Sequence, residues 1–403
     1  MEAKSLDWSG TRPSPFLRVA GGKAFPGDPT ASQRLLLKVA HAARLELVQA
    51  RHLRLVHSGH DHFSRIIAGI EGAEREVCIE IYQIRRDPVG WKICAALAEA
   101  ASRGVRVRLL LDSFGSSAIS SWLEILSDYG VEVRWYSPWR LWTNPFKRTH
   151  RKLVVIDGRQ ASLGGINFAA EFSEVLAGDE SWRDVGLWFE GPAAWAVRKQ
   201  FDVAWLANGG GYGPTLDVPL GSGNLVALAG PRGSKARPAR AYLALAAAAR
   251  RELVLATPYF LPEPDLRDAL TSAAARGVRV RVVVPRHSDI WWFKHGARRH
   301  FAALLQGGIE IWERCDRMVH AKVAVADRCL AAVGSTNLNR LSFRRNSETL
   351  LLTTDPTVVD EVRALMVDEA RNSADRLDRA SWRRHPDRQR FAELATAPVA
   401  NFL

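Results

Sequence analysis

Ala101-Ser102-Arg103-Gly104-Val105-Arg106-Val107-Arg108-Leu109-Leu110-Leu111 reads as the end of a helix, a glycine stop and an apolar run. The pattern returns at Ala274-Ala275-Arg276-Gly277-Val278-Arg279-Val280-Arg281-Val282-Val283-Val284. Glycine suits the position after a last helical turn, and an apolar β-branched run bounded in this way predicts a buried strand. Upstream of each copy lies another strand-like run, Val77-Cys78-Ile79-Glu80-Ile81-Tyr82 and Leu253-Val254-Leu255-Ala256-Thr257-Pro258-Tyr259. Downstream come Gly130-Val131-Glu132-Val133-Arg134-Trp135 and Gly308-Ile309-Glu310-Ile311-Trp312-Glu313. Strands alternating with helical segments, duplicated in one order, predict an α/β fold of two α/β/α sandwich lobes related by a pseudo-twofold axis. The glycine run 207–214 reads as a flexible linker, which divides the chain into an arm (1–45, with a helix around Ser32 to Arg44), a first lobe (46–215) and a second lobe (216–403).

After the third strand of each copy comes the same pattern, His150-x-Lys152-x4-Asp157 and His320-x-Lys322-x4-Asp327, the histidines 170 residues apart. Alternate residues of a strand share a face, so each His/Lys pair projects together while the four apolar residues that follow anchor the strand. The chain returns through Gly164-Gly165-Ile166-Asn167 and Gly334-Ser335-Thr336-Asn337, where small residues let backbone N–H groups approach an anion. Gly164, Gly165, Gly334 and Ser335 are therefore candidate substrate-binding positions. Two imidazoles, two amines and the amides Asn167 and Asn337 form an inventory for phosphoryl chemistry. One imidazole attacks phosphorus, the other protonates the leaving oxygen, and the amines and amides stabilise developing charge.

The doubled H-x-K-x4-D pattern, with Gly-Gly-x-Asn and Gly-Ser-x-Asn after it, resembles the phospholipase D superfamily. Its closest likeness is to bacterial cardiolipin synthases without transmembrane helices. The resemblance runs from about Val56 through Arg390 and takes in Leu111-Asp112-Ser113-Phe114-Gly115-Ser116 and Thr257-Pro258-Tyr259-Phe260-Leu261-Pro262. It implies a cofactor-free, metal-independent reaction in two steps through a phosphohistidine, with His150 as nucleophile and His320 as general acid, then base. It also implies that carboxylates outside the motif orient the histidines, by position Asp184 in Trp182-Arg183-Asp184 and Glu348 in Asn346-Ser347-Glu348. Asp157 and Asp327 are counted with the catalytic motif, yet after four apolar residues they need not reach the phosphate and are read as mainly structural.

Fifty-six basic against 43 acidic residues leave a net charge of +13 and a sequence pI near 10.0, which points to polyanionic partners. Trp139, Trp142, Trp291 and Trp292 lie in aromatic-basic stretches suited to a membrane interface, although they equally suit packing between the lobes or stacking of single-stranded nucleic acid. The basic run 382–391 reads either as a surface for anionic membrane or as a solvated helix. The four cysteines are scattered, and His57-Ser58-Gly59-His60-Asp61-His62 reads as a helix entry capped by Asp61 in preference to a metal site. With no secretory signal pattern, a cytoplasmic protein bound peripherally to the inner membrane is expected, active as a monomer because one chain carries both halves. Anionic phospholipids are the expected partners, and nucleic acid is disfavoured. The expected reaction forms cardiolipin from phosphatidylglycerol and a second phospholipid; the alternatives are hydrolysis to phosphatidic acid or a phosphodiesterase or nuclease of the same superfamily.

Overall fold

The runs just quoted carry apolar side chains at consecutive positions, the mark of strands covered on both faces. The computed structural model describes residues 30–136, 147–216, 222–230 and 237–383. In the first half they form β1 (Glu46–Val56), β2 (Glu76–Ile81), β3 (Arg106–Asp112), β4 (Glu132–Tyr136), β5 (Lys152–Ile156), β6 (Gln160–Gly164) and β7 (Gly186–Glu190). The second half contains β8 (Asn224–Ala229), β9 (Glu252–Ala256), β10 (Arg279–Pro285), β11 (Glu310–Arg314), β12 (Val323–Ala326), β13 (Leu330–Gly334), β14 (Leu350–Thr353) and β15 (Ala374–Leu377). The order in space is β4-β3-β2-β5-β6-β7-β1 in one half and β11-β10-β9-β12-β13-β14-β8 in the other, one permutation used twice, with β15 added beside β11. In each half three parallel strands adjoin an antiparallel set, so the architecture is a duplicated mixed α/β sandwich.

Gly104 and Gly277, at the helix-to-strand turns, both have φ +87°, a conformation that a β-carbon would strain. The helices Pro88–Ser102 and Pro264–Ala275 before them cover the outer faces of their sheets, and each sheet has a separate outer apolar cluster. The inner faces share one core, in which Leu153, Leu163 and Leu187 of the first half belong to the same cluster as Val254, Val323 and Val333 of the second. The helix Pro192–Ala207 contributes Val197, Phe201 and Trp205 to it, and the helix Pro356–Arg363 contributes Val358, Val359 and Val362.

The chain crosses between halves earlier than its sequence suggests. Glu46–Ala50 of β1 pair with β8, whereas Arg51–Val56 pair with β7, so one strand joins the two sheets. The arm helix, Ala31–Ala43, buries Leu36, Val39 and Ala40 in the second half's outer cluster with Tyr242 and Leu245. The glycine-rich segment expected to be a flexible linker is tied down: Arg106, Arg198 and Arg75 donate to the carbonyls of Tyr212, Pro214 and Thr215. The helix after His57 begins at Gly59 with Ser58 as its cap, so Asp61 lies in the first turn, 2.8 Å from Arg65, and is not the cap.

Candidate active site

Lys152 opens β5 opposite Ile81, at the carboxyl end of β2, and Lys322 immediately precedes β12, whose first residue Val323 pairs with Ala256 at the carboxyl end of β9. The residues leading into each motif strand pair with the opposite lobe. His150 N donates to Ser347 O at 2.9 Å and Ser347 N to Arg148 O at 2.8 Å; His320 N donates to Arg183 O at 2.7 Å and Arg183 N to Met318 O at 2.8 Å. These short parallel bridges carry Glu348 and Asp184 across the interface, so each imidazole meets a carboxylate from the other half. His150 Nδ1 lies 3.2 Å from Glu348 Oε2 and 2.9 Å from Ser335 O, and His320 Nδ1 lies 2.5 Å from Asp184 Oδ2. A carbonyl and a carboxylate both facing His150 Nδ1 require that nitrogen to be the protonated one, which leaves the Nε2 lone pair for chemistry.

All four residues are buried, and burial sets their charge states. Burial lowers the His150 pKa and the Lys152 charge lowers it further, against the opposing pull of Glu348. His320 is likewise held well below its ordinary range by burial and by Lys322, with Asp184 opposing. Burial alone would raise the two carboxylates, yet Lys322 and His320 bring Asp184 below its usual range, and His150 and Lys152 do the same for Glu348. The site therefore holds neutral imidazoles against anionic carboxylates.

Lys152 Nζ donates to His150 O at 2.7 Å and stands 5.2 Å from the Tyr82 ring centre. Lys322 Nζ donates to His320 O and sits 3.4 Å from Asp184. Burial draws these amines down to about 7 and about 8; at Lys152 the Lys322 charge adds to it, whereas at Lys322 the Asp184 charge opposes it. Asn167 and Asn337, just beyond β6 and β13, are buried, and among the described residues their Oδ1 atoms have no hydrogen-bond partner.

The remaining residues singled out in the sequence fall elsewhere or act differently. Asp157 and Asp327 sit at the far ends of β5 and β12. Asp157 accepts from the N–H groups of Glu74, Arg75 and Glu76, and Asp327 from those of Arg250, Arg251 and Glu252, so both fix the entries to β2 and β9. Three of the four small residues spend their N–H groups on backbone carbonyls and not on an anion. Gly165 N donates to Val185 O, Gly334 N to Lys322 O and Ser335 N to Thr349 O. Their value is close approach: a β-carbon at Gly164 would lie 2.4 Å from Val185 O, at Gly334 2.2 Å from Thr349 O, and at Gly165 2.2 Å from Asp184 Oδ1. Ser335 Oγ donates to Glu348 and so fixes the carboxylate that orients His150.

Aromatic walls went unread in the sequence. Tyr82 stands edge-on to His150 at 5.2 Å, while Trp182, Phe172 and Tyr259 surround His320 at 5.1, 5.3 and 6.3 Å. The signal available was their position, Tyr82 and Tyr259 following β2 and β9 directly and Trp182 standing two residues before Asp184. Trp291 is 58% exposed at the start of the helix Trp291–Arg298, which also contains Trp292; Trp139 and Trp142 lie outside the described residues. His62 is buried under Gly186, and burial pulls it down to about 4 against the charge of Asp184. Among the described residues, no group of three or more His, Cys, Asp or Glu is placed to hold a metal ion. Nor is any helix among them long and apolar enough to cross a membrane.

The family described as "Cardiolipin synthase, PLD-like domain" matches residues 66–175 and 242–368. A cardiolipin synthase of Geobacillus kaustophilus (strain HTA426) is 33% identical over 389 residues, 92% of this chain and 76% of that protein. Cardiolipin synthase B of Salmonella typhi is 33% identical over 344 residues, 80% of this chain and 82% of that one. Against a cardiolipin synthase of Geobacillus sp. (strain WCH70), 34% identical, the aligned region spans 66% of the relative's length. Among solved structures, the phosphatidylserine synthase of Haemophilus influenzae Rd KW20 superposes with a TM-score of 0.69 at 14% identity, covering 91% of this chain and 98% of that one, a likeness of fold.

Proposed function

The chain belongs to the cardiolipin synthase, phospholipase D-like family, and from that premise we propose that it is a phosphatidyltransferase that makes cardiolipin. One observation carries the reading: two buried imidazoles, each oriented by a carboxylate from the opposite lobe, meet beside two buried lysines. His150 Nε2 attacks the phosphorus of phosphatidylglycerol. The phosphorus–oxygen bond to the headgroup breaks, and His320 delivers its proton to the departing glycerol oxygen, leaving a phosphatidyl-histidine. The hydroxyl of a second phospholipid then gives its proton to His320 while its oxygen attacks phosphorus, which frees His150 and restores the charge of His320. Lys152, Lys322, Asn167 and Asn337 stabilise the equatorial oxygens of both transition states.

Burial and the Lys322 charge disfavour a protonated His320, and a phosphodiester anion supplies the offsetting charge. By offsetting the lysines it raises the proton affinity of the imidazole, so substrate binding and proton uptake are coupled. The finer points belong to the same reading: peripheral attachment to anionic membrane at the cytoplasmic face, supported by the net charge of +13 and exposed Trp291, and catalysis by a single chain, supported by the presence of both half-sites in it.

The test is to give the protein phosphatidylglycerol vesicles and resolve the products by mass spectrometry, with His150→Asn and His320→Asn alongside. Cardiolipin and free glycerol, lost in both variants, are expected. Phosphatidic acid alone would make the enzyme a hydrolase, and absence of any lipid product would refute the reading.

A further inference from the structure

Beyond the aromatic wall of His320 stands an exposed carboxylate that neither orients a histidine nor belongs to a motif. Asp289 lies between β10 and the helix Trp291–Arg298, and both its oxygens accept from the Tyr259 hydroxyl, at 2.8 and 2.9 Å. Tyr259 is buried, packed on Phe293 with ring centres 4.6 Å apart, and stands edge-on to His320. A rigid aromatic that stands beside the acid/base residue thus fixes the carboxylate. Asp289 is itself exposed, and among the described residues no cation is paired with it, although the chain carries a net charge of +13. Its charge is felt in both lobes. Together with burial and Asp112 it lifts the Tyr82 hydroxyl to about 12, and with Asp184 and Glu348 it opposes the burial that lowers Lys322.

An unpaired carboxylate is a liability in a site built for an anion. It repels the phosphate that Lys152 and Lys322 attract, and these opposed charges orient the substrate with phosphate toward the amines and alcohol toward Asp289. A carboxylate offers about four lone-pair positions, and the Tyr259 hydroxyl, with a long contact from Ser288 Oγ at 3.5 Å, leaves others open. Their complement is a hydroxyl donor. We propose that Asp289, braced by Tyr259, accepts hydrogen bonds from the free hydroxyls of the alcohol portion, departing and arriving, and so favours a polyol acceptor over water. This rests on the phosphatidyl-transfer reading and adds to it the residue that selects the alcohol.

The test has two arms, each using the full chain with Asp289→Ala and Asp289→Asn. With phosphatidylglycerol vesicles, the ratio of cardiolipin to phosphatidic acid is read. With bis(4-nitrophenyl) phosphate, the soluble acceptors glycerol, 1-propanol and ethanolamine compete, and the transfer products are counted by mass spectrometry. The unaltered protein should prefer glycerol to 1-propanol. Asp289→Ala should cut that preference, and the lipid transfer-to-hydrolysis ratio, by about tenfold, the worth of one hydrogen bond to a charged group. Asp289→Asn, whose amide oxygen still accepts, should retain part of both. Ratios unchanged in the alanine variant, or all products falling in parallel, would overturn the proposal. A loss confined to ethanolamine would do so as well, because it would assign Asp289 to an ammonium group. If vesicles yield no product with the unaltered protein, phosphatidyl transfer fails, while the soluble arm still decides the role of Asp289.

Discussion

Replacing Lys152 with methionine should stabilise the fold while destroying the activity. The amine is buried, with a hydrogen bond to His150 O and the Tyr82 ring for company, and burial together with Lys322 lowers its pKa from 10.5 to about 7. Because the folded value lies below the unfolded one, the unfolded chain binds more protons between these limits, and wild-type stability rises with pH across that window. The cost of keeping the amine buried is ~4 kcal/mol at pH ~7.5 and falls to ~2 kcal/mol at pH ~9. Methionine matches the unbranched stem without the charge and forfeits one hydrogen bond worth about 1 kcal/mol. The net gain is therefore ~3 kcal/mol at pH ~7.5 and ~1 kcal/mol at pH ~9. Equilibrium urea unfolding followed by tryptophan fluorescence at both pH values measures it. A variant no more stable than wild type at the lower pH, or an advantage that grows with pH, would refute the reasoning. Turnover should fall by roughly two to three orders of magnitude, as when one charge-stabilising donor is removed.

Glu348→Gln and Asp184→Asn should each lower kcat by roughly two to four orders of magnitude, and nitrogen NMR of the ring should locate the first effect on His150 and the second on His320, each across the lobe boundary. Sulfate, which does not titrate near neutrality, should bind through lysines whose free-site values are about 7 and about 8. Binding raises those values, so affinity should be full below pH ~7 and decline as pH rises through the bound-state values; calorimetry finding tighter binding in alkali would contradict the assignment. Asp327→Ala removes the acceptor for the N–H groups of Arg250, Arg251 and Glu252, and should cost about 1–3 kcal/mol in urea unfolding while kcat per folded molecule stays within about threefold.

The architecture was legible because its information is local and written twice. Helix, glycine, buried strand recurs at residues 101–111 and 274–284, and the structure gives both copies the same strand order. One departure is local, Ser58 capping the helix Gly59–Glu71 where Asp61 was expected to; the others involve contacts between segments distant in sequence. Nothing within Glu46–Val56 says that its first residues pair with β8 and its last with β7, since either edge satisfies the same alternation. The glycine run was read as loose because glycine has no side chain to anchor, but the anchors come from Arg75, Arg106 and Arg198 outside the run.

The sequence by itself determined the reagents: two His-x-Lys pairs leading into strands, two asparagines, and a basic chain to meet an anion, with two orienting carboxylates implied by the family resemblance. Residue type and the doubled pattern fix the first three whatever the packing. Only the tertiary structure decided how they are shared. Ser347 pairs beside His150 and Arg183 beside His320, so the carboxylates are exchanged between lobes. Burial, which no spacing records, leaves the imidazoles neutral and brings the lysines toward neutrality. The glycines beside the site, which a sequence offers equally to a ligand or to a neighbouring strand, went to the strand, because their N–H groups already have partners in the sheet.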